Sequence, residues 1–504
     1  MSQRKHGAVL SYISIFTNIA IGLVLTPILV RNLGQSEYGL YIIVGSFAAY
    51  LTIMDLGLND SVIRYVAKYR ALKDRQSEEN FLAIISVIYA CISLLIVAVG
   101  LLIYVNLPAM FERSLNTQEM ASAKTMLAIL LVNVTATILF NPISATILAY
   151  ERFVLQRTLE IVSRVLVAVG VVAVLLLGHK AVAVVVVTAV VNLFVLLYKI
   201  VYAFCILKIR LKLHRFKWDK VTEIFKYSMA IFVVVIVEQI YWKLDNVILG
   251  IMLNPSVVAV YAIGMSFHKY FMSFGTAISK VLIPKIVRNV EHGQSNKELT
   301  NQLISVSRIQ AIVLFLVLSG LILYGREFIV LWVGGEYESA YYVMLITLIP
   351  YSLEMIGNIR NVFLQAKDLY WYRALTVLVL SLVNVGLTII MVNMWGMIGA
   401  AISTGLGITL GYVAVNVIMK WKAGLEMERY TRELVTGILP AVILSGTLGA
   451  LLNLVTQISW VGLVAKVASY TLLYLICLWY IGMNDYEKQL IGSLMRFKKA
   501  PMGF

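Results

Sequence analysis

Fourteen long apolar runs set the limits on what this chain can fold into. A helix needs about 20 residues, at about 1.5 Å of rise each, to cross a bilayer. The runs lie at 8–30, 38–58, 81–105, 123–148, 155–178, 180–206, 227–252, 257–283, 306–332, 339–364, 372–394, 396–419, 434–454 and 459–482. In hydrocarbon every backbone amide must find its partner within the segment, so the runs read as helices. Barrel strands would alternate apolar and polar residues, and these runs do not. Composition agrees: 61% of the 504 residues are hydrophobic and 13% are charged, whereas a soluble domain is nearer half and a quarter. The expected fold class is an all-α integral membrane protein of about fourteen transmembrane helices.

The net charge of +16 raises the question of nucleic acid, and its placement answers it. With the N-terminus in the cytoplasm, alternating runs put thirty-one of the 42 Lys and Arg residues on the cytoplasmic side. Five fall on the opposite side: Arg31, Arg113, Lys124, Lys180 and Arg326. That asymmetry orients the chain with both termini inside, as a multi-pass protein of a cytoplasmic membrane. No nucleic-acid partner is needed to explain it. Met1 to His6 is short and basic, but the apolar run after it is too long for a signal-peptide core, so it reads as a retained first helix. Cys91 and Cys205 lie in apolar runs and read as buried thiols; the five histidines show no metal-ligand spacing, and no cofactor is expected. The longest outer loop, near residues 107–122, is too short for an inserted catalytic domain, which argues against a membrane glycosyltransferase or polymerase.

An internal repeat shapes the architecture. Sliding the chain on itself by 220 residues lays Leu33 on Leu253, Ser36 on Ser256, Tyr41 on Tyr261, and Ser46, Phe47 and Tyr50 on Ser266, Phe267 and Tyr270. The first and seventh runs are six crossings apart, so the copies have the same orientation. This predicts two parallel, pseudo-symmetric six-helix lobes (residues 1–213 and 214–421) plus two C-terminal helices and a tail (422–504), with a substrate held between the lobes and alternating access.

Two motifs carry a resemblance. Arg31-Asn32-Leu33-Gly34-Gln35-Ser36-Glu37-Tyr38-Gly39-Leu40-Tyr41, followed by Asp55-Leu56-Gly57-Leu58 and Arg64-Tyr65, resembles the opening of bacterial polysaccharide flippases. These are Wzx-like members of the multidrug/oligosaccharidyl-lipid/polysaccharide (MOP) exporter superfamily. Trp395-Gly396-Met397-Ile398-Gly399-Ala400-Ala401 is similar to that family's Gly-x-x-Gly-Ala-Ala element. Gln35 departs from the proline common in the family at that place. The resemblance implies a transporter, not an enzyme, that moves a polyprenyl-diphosphate-linked oligosaccharide to the outer leaflet. That oligosaccharide would be a precursor of O-antigen, capsule or exopolysaccharide. Membrane lipids and a glycan polymerase complex are the further implied partners. The rival within the superfamily is a multidrug exporter, which calls for an acidic, aromatic cavity; a third reading is a scaffold for a glycan-synthesis complex.

Ionisable groups inside a bilayer are costly, so each is a functional candidate. Lys243, Arg360, Arg164 and Lys269, with Asn358 and Trp242, are candidates for a cavity that takes a diphosphate and sugar hydroxyls. Glu238, Asp245, Glu354 and Asp55 are candidates for proton or sodium coupling. Glu238, Trp242 and Asp245 share one helix face by their spacing. Competing readings stay open: lysines that reach to the interface, intrahelical ion pairs, and static salt bridges.

Overall fold

The computed structural model describes residues 2–214, 239, 242–454 and 458–489. All regular structure among them is helical. The chain divides into two compact units, Met1–Ala262 and Ile263–Phe504.

In the first unit, α1 (Ser2–Thr52) carries the first two apolar runs and is interrupted at Gly34, whose φ of 73° and ψ of 174° are outside the helical region. Asparagine or glycine tolerates such a φ, and here glycine supplies it. A 3-10 turn (Ile53–Asp55) with left-handed Leu56 and Gly57 separates α1 from α2 (Leu58–Ala71). Next come α3 (Arg75–Met110), α4 (Thr117–Leu139), α5 (Asn141–Ala149), α6 (Phe153–Leu176) and α7 (Ala181–Val201). The ends are chemically marked. Asp74 caps α3 by accepting from the Ser77 amide at 3.0 Å, and bonds from Ser77 hold the Asp74 carboxyl below the usual carboxylate range. Asn116 and Glu119 form a capping box at α4. The fourth apolar run is thus two helices, with Pro142 in the first turn of α5, where the missing N–H costs nothing.

Residues 242–252 are helical, and α8 (Pro255–Glu291) follows. Asn254 caps it, accepting from the Val257 amide at 3.0 Å. The 220-residue offset lays Gly34 on Asn254, so both copies of the repeat interrupt their helix at the same place. Within the first unit α1 packs on α4 and α6, and α3 on α4, while α2 lies against α3 and α5. Tyr65, Phe81, Ile85, Tyr89 and Ile138 belong to one buried apolar cluster.

The second unit is arranged around α9 (Asn296–Val333), which begins with its own capping box, Ser295 and Glu298. The tenth run is bent: α10 (Ala340–Ile356) and α11 (Arg360–Ala366) meet at an angle of 47°. α12 (Tyr370–Trp421) holds the eleventh and twelfth runs and breaks at Gly396 (φ 57°, ψ −135°). In one straight helix Asn384 and Ser403 would be about 28 Å apart. Instead the Asn384 amide donates to the Ser403 hydroxyl at 3.0 Å, as does the Thr388 hydroxyl, so the chain doubles back as a hairpin. α13 (Met427–Val435), α14 (Ile438–Leu451) and α15 (Trp460–Cys477) complete the unit. α13 was not expected. Its nine residues bury Met427, Tyr430 and Leu434 on one face, but charges fill the rest, so no apolar run announces it.

Nine helical stretches among the described residues are long and apolar enough to cross a membrane, or ten if the bent pair is one span. Two of those nine, Ile13–Ala71 and Tyr370–Trp421, are each far longer than one crossing and contain the breaks at Gly34 and Gly396. Leucine, valine and phenylalanine side chains such as Leu94, Leu102, Phe194 and Leu472 stand exposed on the helices, which is the surface lipid would cover. Cys91 and Cys205, expected buried, also face outward; Cys477 is buried, and all three are free thiols.

Candidate functional site

One group of polar side chains in the first unit meets where its helices break. The Asp55 carboxylate, in the 3-10 turn after α1, accepts from the Tyr89 hydroxyl of α3 at 2.8 Å and from the Asn141 amide of α5 at 2.7 Å. One oxygen so ties three elements together. Tyr89 is wholly buried, and desolvated donors of this kind are costly to strand. Asp55→Ala is therefore expected to lower stability by about 1–3 kcal/mol. Tyr89→Phe should cost less, because Asn141 still serves the carboxylate. Unfolding in mixed detergent micelles measures both.

Asp245 is also buried and accepts from the Tyr261 hydroxyl at 2.5 Å, across the turn that Asn254 caps. Beside it, Asn246 donates to the Ser46 hydroxyl on α1 at 3.3 Å. Trp242 and Lys243 lie up to one turn earlier and are half-buried. Glu238, expected on the same face, lies outside the described residues. Arg164, on α6, donates to the Ser14 carbonyl of α1 at 3.2 Å, while Glu160 pairs with Arg157 at 2.7 Å. Lys199 donates to the Ser144 hydroxyl at 3.3 Å. Asn192 of α7 donates to both Asn133 and Thr137 of α4, at 2.8 and 2.9 Å.

In the second unit Arg360 opens α11 with a side chain only 1% exposed. Its Nε donates to the Gly357 carbonyl at 2.9 Å, its guanidinium lies 4.4 Å from the centre of the Tyr412 ring, and it hydrogen-bonds Asn416. A methyl group on Gly357 would strike that guanidinium, so the glycine makes room for the arginine. The geometry gives Arg360 the work of fixing the bend between α10 and α11 against α12. Asn358, in the bend, accepts from the Asn361 amide at 2.8 Å, and Glu354 pairs with Arg373 at 3.6 Å. Lys269 is exposed on α8.

Sequence reasoning missed the strongest cluster. Arg308 was counted only among the cytoplasmic cations, but it lies inside α9 and is buried. All its donors are used: Nε and one terminal nitrogen on Glu487 (2.6 and 3.1 Å), the other on the carbonyls of Glu433 and Thr436 (2.6 and 2.9 Å), with a further bond to Gly482 (2.9 Å). Further along α9, Tyr474 donates to the Ile312 carbonyl, Tyr470 to the Ser319 hydroxyl, and Tyr324 to the Gly449 carbonyl. Lys466, one of the cations inside the apolar runs, pairs with Glu327 at 2.6 Å. These contacts fasten α14 and α15 along one side of α9. Among the described residues no group of three His, Cys, Asp or Glu side chains is placed to hold a metal ion.

The described helices thus form bundles of spanning length, several of them broken, with buried polar contacts at some of the breaks. The chain resembles the lipid II flippase MurJ in its inward closed conformation, with a TM-score of 0.74 at 16% identity over 96% of this chain and 100% of that one. It also resembles an inward-facing multidrug-resistance transporter of the MATE family of the MOP superfamily, with a TM-score of 0.65 at 13% identity over 83% of this chain and 96% of that one. A family profile described as "Polysaccharide biosynthesis protein" matches residues 4–290, and the chain belongs to that family. Two curated relatives from Haloferax volcanii align with parts of it. One, named a probable low-salt glycan biosynthesis flippase, Agl15, is 24% identical over 214 residues, 42% of this chain and 44% of that protein. The other, named probable flippase AglR, is 29% identical over 187 residues, 36% of this chain and 38% of that protein. The alignments thus span less than half the length of those relatives.

Proposed function

We propose that this protein is a flippase that moves a polyprenyl-diphosphate-linked oligosaccharide across a cytoplasmic membrane by alternating access. The cargo is a precursor of a surface glycan such as O-antigen, capsule or exopolysaccharide. The observation that carries the reading is the family match over residues 4–290, joined by two relatives that are both named flippases. The shared fold with a lipid II flippase agrees with it. Polar groups held within the spans suit a cargo whose headgroup must avoid hydrocarbon. Work of this kind needs no bond to be made or broken, so the protein acts as a transporter and not as an enzyme. Lys243 and Arg164 are the half-buried cations proposed to meet the headgroup. Asp55, Asp245 and Glu354 are the carboxylates proposed to exchange a proton or sodium ion. The Lys and Arg asymmetry supports a topology with both termini in the cytoplasm.

Deletion followed by lipid analysis tests this. The mutant is expected to accumulate the complete lipid-linked sugar unit on the cytoplasmic leaflet and to lose the surface glycan. Unaltered glycolipid and surface glycan, together with new sensitivity to cationic dyes, would instead make the protein a drug exporter on the same fold.

A further inference from the structure

One end of the first unit holds a cavity of about 380 Å³. It is walled by the turn from α2 to α3, by Tyr150 after α5, and by residues 207–210 after α7. Five of its lining side chains are basic and two are acidic. Both acids are occupied: Glu78 accepts from the Tyr150 hydroxyl at 2.7 Å, and Glu79 pairs with Arg75 at 3.3 Å and the His214 ring at 3.2 Å. Arg70 is occupied too, donating to the Ala149 carbonyl at 2.9 Å with its guanidinium 3.8 Å from the Tyr150 ring centre. Lys73, Lys208 and Arg210 remain. All three are exposed, and none has a side-chain hydrogen bond or ion pair among the described residues.

The backbone is left-handed at Lys73 and Lys208, as it is at Leu56, Glu151 and Asp368. Lys73 has a φ of 56° and Lys208 a φ of 53°, the left-handed region. Lys73 sits just past the end of α2, where its amide bonds the Arg70 carbonyl and the Asp74 amide bonds that of Tyr69. Lys208 stands in the matching place past the π turn Tyr202–Ile206, with the Ile209 amide bonding the Ala203 carbonyl. Glycine is the favoured residue at such helix exits. Both lysines stand at the same cavity.

We propose that this basin binds a phosphate or diphosphate group, with Lys73 and Lys208 as its two ammonium donors and Arg70, its guanidinium stacked on the Tyr150 ring, as its floor. Lysine meets phosphate as a compact point charge. Leu82, Leu207 and Ile209 add an apolar wall beside the charges, which suits a headgroup carried on a lipid. Resting on the flippase reading, the basin is where the diphosphate of the lipid-linked sugar is first held, on the side from which it is loaded.

The test uses the full chain, purified in detergent, and the double variant Lys73→Gly/Lys208→Gly. Because glycine relieves the backbone at both positions, this variant should fold with an unchanged or raised thermal midpoint. Two probes are titrated: inorganic pyrophosphate, and phosphatidylcholine vesicles doped with farnesyl diphosphate. A control, Lys68→Gln/Lys297→Gln, removes the same charge from exposed positions outside the basin. The expected result is binding weakened about tenfold or more in the glycine variant and retained in the control. Pyrophosphate bound as well as the lipid identifies a free phosphate as the source, and binding of the lipid alone identifies a headgroup. Equal binding by the wild type and the glycine variant, an equal loss in the control, or no binding by the wild type would overturn the proposal. The deletion experiment reads transport in cells, so either idea can fail while the other stands.

Discussion

Arg308→Ala is expected to cost about 3–5 kcal/mol of stability, the cost of stranding one partner of a buried ion pair. Arg308 and Glu487 are both buried, and the arginine reaches three backbone carbonyls as well as the carboxylate. Its removal leaves Glu487 charged in a dry place and frees the carbonyls of Glu433, Thr436 and Gly482 together. Lysine at 308 should recover only part of the loss, because a single ammonium cannot fork around these acceptors. Arg308→Met with Glu487→Leu should come back close to wild type, since an apolar pair of similar volume strands no charge. Unfolding in mixed micelles gives the size of the effect. Limited proteolysis after residue 436 tells whether α14 and α15 are the parts that come loose. If Arg308→Ala were as stable as wild type, the clamp would be surface decoration.

Gly39→Ala is the second large effect. A Cβ at Gly39 would occupy the place of the Pro255 carbonyl, where α1 meets the start of α8. Backbone lies on both sides of that contact, so no side chain can rotate away, and the two helices must separate. Overpacking of this kind typically costs about 1–3 kcal/mol and more when nothing can yield; about 3 kcal/mol is expected here. Gly45→Ala is the comparison: a Cβ there meets nothing within 4 Å, and the substitution should be close to neutral or stabilising. A drop in the thermal midpoint for position 39 and none for position 45 would establish the close approach. Equal midpoints would remove it.

Much of the fold was legible because bilayer crossing imposes a length and an apolarity that a single sequence displays. The runs at 81–105 and 155–178 became α3 and α6 with little change. Gly34 and Gly396 stood in the two motifs noticed first, and both proved to be places where a helix breaks. What stayed hidden depends on partners far away in the chain. Arg308 stands near the start of an apolar run and read as one more cytoplasmic cation; its carboxylate partner is 179 residues on. Arg360 read as a cavity cation because a charge in a span suggests water, whereas Tyr412, Asn416 and the Gly357 carbonyl surround it instead. Asp55 was named for its charge, but Tyr89 and Asn141, which hold it, were lost among apolar neighbours. Hydropathy records how much of a segment avoids water. It does not record which face meets which, and the polar contacts are decided there.

The doubled-back α12 has a bearing on how the chain is made. Its two arms are joined at Gly396, and the rungs that Asn384 and Thr388 form with Ser403 belong to the hairpin alone. Lipid offers those amide and hydroxyl groups no competing partner. The pair can therefore settle its own register on leaving the translocon, as a preassembled plank, before the rest of the bundle arrives to receive it.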